Sequence, residues 1–300
     1  MASLRAAGPL HLGGSLGLSI AGAEANVAIG LARLGHRTRW VGVTGADELG
    51  RLVLRTLRAE GVDVTHAVTD PAPTGLVIFE PRIADLTRVA YYRSGSAGSR
   101  LAPRHLDAAL AEGARIVHLT GVTAALGPGP RAAVEAAARA DATICLDVNY
   151  RAKLWSPQAA AEALRPLAPR VDVLVASDDE LHLAAPAAAG DEAERVAALL
   201  ELGVREVVVK RGAAGAETFT ADGSVASAAV AVPVRDTVGA GDAFVAGYLS
   251  ALLDGLPVPG RLARAVTTGA FAVAGAGDWE GLPTRDELGL LDAVPGSTLR

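Results

Sequence analysis

Short apolar runs rich in β-branched residues recur along the chain: "TRWVGV" (38–43), "ARIVHLT" (114–120), "ATICLDV" (142–148), "VDVLVAS" (171–177) and "REVVVK" (205–210). Between them lie segments with helical spacing, including "DELGRLVLRTLRAEG" (47–61), "PRAAVEAAARA" (130–140) and "DEAERVAALLELG" (191–203). This alternation leaves few folds open. Runs that are apolar at every position belong to strands buried on both faces, so helices must cover the sheet above and below. The pattern predicts a doubly wound α/β domain with a mostly parallel sheet. Three hundred residues suffice for one such domain, and with only 4% aromatics its core must come from Ala, Val and Leu.

Two regions break the rhythm. Residues 8–21 and 62–95 carry alternating apolar positions and Pro/Gly turns without a helical pattern. They predict a small β-sheet lid built from about 8–21 and 70–95. A lid that closes on a ligand keeps water from a reaction; an ordinary β-excursion is the plainer reading.

The charge balance excludes some partners. Twenty-eight basic against 33 acidic residues give −5, with no run of Lys or Arg, so the footprint of a nucleic-acid binder is missing. No stretch of about 20 apolar residues is present to span a bilayer, and "MASLRAAGPLHLGG" lacks the apolar core of a signal peptide. The single cysteine, Cys145, lies in an apolar run and suits a reducing compartment. A cytoplasmic location is expected, and the six scattered histidines show no metal-ligand spacing.

The chemistry concentrates in "DTVGAGDAF" (236–244), where a glycine turn opens onto the helical run "AFVAGYLSALL". Gly239, Ala240 and Gly241 are small enough for backbone N–H groups to converge at a helix N-terminus, a place that favours an anion such as phosphate. Asp242 in the same turn reads two ways. It is an N-cap or dipole-stabilising acid, or it is a general base beside an anion hole. The stretch lacks the third glycine of a dinucleotide fingerprint, and no G-x-x-x-x-G-K-[ST] occurs, so any ATP binds in another way. "VLVASDDE" (173–180) places Ser177 and Glu180 either as a capping box or, at the carboxyl edge of a sheet, as a Mg²⁺ organiser. "KRGAAGA" (210–216) is a nucleotide-facing glycine turn or a tight hairpin. "LDVNYRAKLW" (146–155) brings Asp147, Asn149 and Arg151 to a strand end, and "AYYRSGSAGS" (90–99) puts Tyr91 and Tyr92 on opposite faces of a strand, with Arg93 beside them.

Together these segments resemble the ribokinase-like (PfkB-type) carbohydrate kinases over about residues 21–288. "DTVGAGDAFVAGYL" is similar to that family's C-terminal signature, and "AGAEANVAIGLARLG" (21–35) with "VGVTGADELG" (41–50) to its N-terminal one. "YYRSGSAGSRLAP", "DVNYRAKLWSP" and "GDWEGLP" look most like the 2-keto-3-deoxygluconate kinases of the family. The resemblance implies Mg²⁺-assisted transfer of the ATP γ-phosphoryl group to a sugar-acid hydroxyl, with K⁺ a further candidate ion and a homodimer or larger assembly as the working form. It implies Asp242 as base and Gly239, Ala240 and Gly241 as anion hole. It places Gly22, Ala23, Asn26, Tyr91, Arg93, Arg151 and Asp278 around the sugar acid. Ser177, Lys210, Arg211, Gly212 and Gly215 fall on the nucleotide side, with Glu180 organising Mg²⁺. Fructose, ribose and 2-keto-3-deoxygalactonate are alternative substrates, and a non-catalytic sugar or nucleotide sensor is the rival class.

Three departures stand out. Ala21 replaces a usual second glycine, and Val77 occupies a lid position where the most similar kinases often carry tyrosine. Only about 20 residues precede "AGAEAN", too few for the family's first core strand. That strand is expected to be missing, with a misplaced start as the favoured explanation.

Overall fold

Val207, Val208 and Val209 are all fully buried, as required of a strand covered by helices on both faces. Val207 and Val209 join one apolar cluster and Val208 the other, so successive side chains serve opposite layers. The structure, a computed structural model, describes residues 1–83 and 86–292.

In chain order, β1 (Ala2–Ala6) and β2 (Leu16–Ile20) precede α1 (Ala23–Arg33), β3 (Val43–Gly45), α2 (Glu48–Ala59), β4 (Val68–Asp70) and the pair β5 (Leu76–Ile83) and β6 (Leu86–Tyr92). The α/β body follows with α3 (Asp107–Ala111), β7 (Ile116–Thr120), α4 (Gly121–Ala124), α5 (Pro128–Ala137), β8 (Thr143–Asp147), α6 (Pro157–Leu164), β9 (Val173–Ser177), α7 (Glu192–Glu201) and β10 (Glu206–Lys210). It ends with β11 (Ala216–Thr220), β12 (Gly223–Ser227), α8 (Ala240–Leu253) and α9 (Val258–Ala274). The main sheet runs β12-β11-β10-β9-β8-β7. Strands β7 to β10 are parallel, and β11 and β12 return antiparallel. Helices α5, α6 and α7 bury Val134, Leu164 and Leu199 on one face. Helices α8 and α9 bury Val245, Leu249 and Leu262 on the other.

Pairing of Thr120 with Asp147 and of Ser177 with Lys210 brings the carboxyl ends of β7 to β10 to one edge of the sheet. Open α/β sheets bind ligands at that edge.

The lid is a four-stranded sheet of order β2-β1-β5-β6. It begins earlier than expected. "ASLRA" supplies a strand at Ala2–Ala6, whereas residues 8–15 form the connection, with one 3₁₀ turn at Leu10–Leu12, because Gly8, Pro9, Gly13 and Gly14 favour a loop. At the other end, β4 pairs with β3 and lies outside the lid sheet. Positions 84 and 85 of the expected lid stretch lie outside the described residues.

The stretch 38–43, read from sequence as a strand, is mostly unpaired: only an Arg39–Asp63 bridge and Val43 belong to ladders. Among the described residues β7 pairs only with β8, and β3 only with β4. Between them opens a cavity of about 1280 Å³, lined by Trp40, Leu106, Val117 and Leu253 and continuous with Asp242 and Arg151. The edge residues Ile116 and Val117 are only half-buried there, in contrast to the interior strands.

Candidate active site

Helix α8 starts at the carboxyl edge of the sheet. Its N-cap residue is Gly239, at φ 76° in the left-handed region, and a Cβ there would sit 1.9 Å from the Asp278 carbonyl oxygen. Only glycine meets both conditions. The turn lets α8 begin with first-turn N–H groups that have no partner within the helix, a seat for an anion. Lys210 stands beside that seat: its Nζ would lie 3.6 Å from a Cβ at Gly241.

Asp242 is buried, and its carboxylate does not cap the helix. Its Oδ2 accepts from Asn26 Nδ2 at 2.8 Å and its Oδ1 from Asn149 Nδ2 at 3.4 Å. Asp242 is therefore not the N-cap, which is Gly239; it lies inside the first turn, where an acid also suits the helix dipole, with its side chain bonded to Asn26 and Asn149. Burial pushes its pKa up to about 7, with Asp147 adding repulsion, while Asn26, Arg151 and Lys210 oppose the rise. A carboxylate poised there is suited to take a proton near neutral pH.

The two asparagines have specialised environments. Asn149 is the one non-glycine with positive φ among the described residues, at 42°. That left-handed conformation is tolerated by Asn and tends to occur where function requires it. It directs Nδ2 between Asp147 and Asp242. The Oδ1 atoms of Asn26 and Asn149 are buried without partners, leaving acceptors for substrate hydroxyls.

Lys210 ends β10 and holds both oxygens of the buried Asp147, at 2.9 and 3.1 Å. Burial works against its charge, but Asp147, Glu180 and Asp242 outweigh that and raise its pKa. It therefore stays cationic, within the same cavity as Asp242.

From the lid, Tyr91 faces the site and Tyr92 faces solvent. Arg93 lies 4.1 Å over the Tyr91 ring, and its Nε and Nη2 are buried with no protein partner. Burial lowers its pKa, and an unpaired guanidinium in a cleft is a ready carboxylate receptor. Asp278 is also buried, which raises its pKa to about 6.

Gly22, Ala23, Asn26, Tyr91, Arg93, Arg151, Asp278, Ser177, Glu180, Lys210, Gly239, Gly241 and Asp242 line one cavity. Ala240 follows at the helix start. The structure does not bring Arg211, Gly212 and Gly215 there. Arg211 is committed to Glu192 and Glu217. Gly212 and Gly215 shape the turn of the β10–β11 hairpin, directly after the strand that carries Lys210. Glu180 accepts from the Tyr150 and Ser177 backbone N–H groups at 2.7 and 3.0 Å. The capping box is half formed, since the Ser177 hydroxyl turns to Asp179.

Four further residues join the site. Asp147 and Asn149, at the end of β8, bind Lys210 and Asp242 respectively. Glu24, inside "AGAEAN", accepts from the Thr120 and Thr123 hydroxyls at 2.6 and 2.5 Å, tying α1 to the end of β7. Arg5, in the lid, reaches Asp236 and Asp278; nothing local in the sequence marks it.

Residues 2–285 match the pfkB family of carbohydrate kinases. The chain belongs to that family. The kinase is 40% identical to a 2-dehydro-3-deoxygluconokinase from Thermoproteus tenax over 93% of this chain and 87% of that protein. It is 35% identical to a protein of the same name from Bacillus subtilis, over 94% and 89% of the two chains. A crystal structure of a PfkB protein from Polaromonas sp. JS666 superposes with a TM-score of 0.84 at 36% identity, covering 96% of each chain. The doubly wound fold and the kinase class expected from sequence are thus confirmed, and the ligand-binding sensor is set aside. Among the described residues no helix is long and apolar enough to cross a membrane, and no cluster of three or more His, Cys, Asp or Glu could hold a metal ion unaided.

Proposed function

We propose that the kinase transfers the γ-phosphoryl group of ATP to a hydroxyl of 2-keto-3-deoxygluconate. The observation that carries this reading is one cavity holding a buried carboxylate, Asp242, next to an open helix N-terminus, with the unpaired Arg93 guanidinium opposite. Asp242 accepts the hydroxyl proton as the sugar oxygen attacks the γ-phosphorus and ADP departs. The first-turn N–H groups of α8 and the Lys210 ammonium stabilise the charge of the transferring group. Asn26 and Asn149 orient Asp242 and offer their free oxygens to the sugar. Arg93 and Arg151 select a carboxylate, and Tyr91 packs on the sugar.

Mg²⁺ fits the donor set. The buried Glu180 keeps lone pairs on both oxygens, because each accepts one N–H, so it is able to organise hydrated Mg²⁺ beside Ser177. When bound, that ion neutralises phosphate charge. The comparison of Arg93→Met with the parent enzyme tests the substrate. KM for the keto acid is expected to rise about 10–100-fold, the loss of charge-assisted hydrogen bonds, while turnover of fructose or ribose stays the same. Neutral sugars outperforming keto acids in the parent enzyme would defeat the reading.

The cleft beside β7 lies along the outer edge of the six-stranded sheet. An extended apolar segment lying parallel to β7 there would pair its free edge, cover Trp40 and Leu106, and reach the sugar pocket at Met1, which lines the same cavity. Each backbone group left unpaired in such a setting costs about 1–3 kcal/mol. The lid's outer strand β2 exposes Leu16 and Leu18, which supports pairing of two lids in a homodimer.

A further inference from the structure

Arg5 lies on β1, in the lid, yet its partners lie 231 and 273 residues away in the body. Its Nη1 donates to Asp236 Oδ2 at 2.6 Å and its Nη2 to Asp278 Oδ2 at 3.3 Å. The guanidinium also stacks 4.3 Å over the Phe79 ring of the neighbouring lid strand, where Arg5 and Phe79 are register partners.

Both carboxylates bear on the transfer site. Asp236 opens the "DTVGAGD" turn and its Oδ1 accepts the Val238 N–H at 3.0 Å, which fixes the turn immediately before Gly239. Asp278 places its carbonyl oxygen against Gly239 and its carboxylate in the sugar cavity. Val238 itself packs into the small apolar cluster of Val77 and Phe79 under the lid. The lid therefore touches the anion seat through one apolar contact and one forked cation. We propose that Arg5 is a positioning residue: it latches the lid sheet to the body by bridging Asp236 and Asp278, and so holds the phosphate turn and the sugar-side carboxylate in register while the lid is closed.

The chemistry suits arginine and little else. A planar fork donates to two carboxylates at once and stacks on an aromatic ring, whereas lysine offers a single point charge. Asp278 gains as well: burial drives its pKa upward, and Arg5 is the largest influence holding it down.

The inference rests on the kinase reading for its kinetic effect and not for its structural one, so two measurements separate them. In the ligand-free protein, Arg5→Met is expected to speed amide exchange in β1, β2 and β5 relative to the parent, while exchange in β8 to β10 stays unchanged. This readout is independent of which sugar is phosphorylated. In turnover, Arg5→Met is expected to raise KM for the sugar acid about tenfold or more, with kcat within about threefold, because a weakened lid costs binding before chemistry. Arg5→Lys, which keeps the charge and folds with little disturbance, is expected to fall between. Lid exchange at the parent rate in Arg5→Met would overturn the latch. So would a loss in which kcat falls as much as kcat/KM and Arg5→Lys behaves as Arg5→Met, since that is the signature of general damage.

Discussion

Asp242→Asn is expected to lower kcat by about 10²–10⁴-fold, the usual contribution of a positioned base, with ATP affinity nearly unchanged. The amide keeps the size of the side chain and accepts from one of Asn26 and Asn149, while its NH2 donates to the other once that asparagine turns its unpartnered Oδ1 inward, so the pocket survives and the proton acceptor is lost. The same substitution is expected to stabilise the free protein at pH 8. The folded pKa of Asp242 is raised from 3.8 to about 7. Between those values the folded state binds the proton and the unfolded state does not, so this group's contribution to stability declines as pH rises through that window. Above pH 7 the parent carries a buried, desolvated charge that the amide lacks. Thermal unfolding at pH 5 and pH 8 checks this: the advantage of the variant should appear mainly at the higher pH. A shift of about 2–4 °C would correspond to each kcal/mol for a chain of this size. A kinase that tolerates that cost at its base is trading stability for rate.

Gly239→Ala is the second substitution expected to have a large effect, and it acts by geometry. A left-handed conformation costs a non-glycine residue about 1–2 kcal/mol. The new methyl would also meet the Asp278 carbonyl at 1.9 Å, so the turn or the 278 segment must move. Misplacement by about 1 Å of groups that position a reaction costs on the order of 10²-fold in rate. Melting temperature and kcat should therefore fall together. Gly241→Ala is the control for stability, because its nearest neighbour outside the helix is Lys210 Nζ at an ordinary 3.6 Å. It should melt close to the parent, while any loss of rate would report crowding of the anion seat. If Gly239→Ala left both quantities untouched, the seat would not be where the structure puts it.

The parts of the molecule legible in the sequence are those written in contiguous residues. "REVVVK" and "VDVLVAS" announce buried parallel strands because burial on both faces demands apolar residues at every step. "DTVGAGDAF" carries its glycines, its helix start and its acid within nine positions, so the anion seat could be read directly. What Asp242 does was not legible, since capping and base catalysis ask for the same residue at the same place. The choice depended on Asn26 and Asn149, which approach it from segments 216 and 93 residues away.

The misses share that cause. The partner of Lys210 was not legible either: the buried Asp147 that holds its ammonium lies 63 residues away on β8. Arg211 looked equally available, but Glu192 and Glu217 flank it in space and claim its guanidinium. Arg5 had no local signal, because an arginine within an alternating strand is an ordinary surface residue until its partners are known. The lid's early start at Ala2 was missed for a similar reason: "ASLRA" is short, and only pairing with β5 along its length makes it a strand.

The pH dependence of kcat/KM for 2-keto-3-deoxygluconate, measured with saturating ATP, tests the central claim most directly. If Asp242 is the base that accepts the sugar hydroxyl proton, the profile should fall about tenfold per pH unit below an apparent pKa near 7. The residual activity of Asp242→Asn should not follow that limb. A parent profile that stays flat from pH 5 to pH 8, or a variant that retains the same limb, would contradict the assignment.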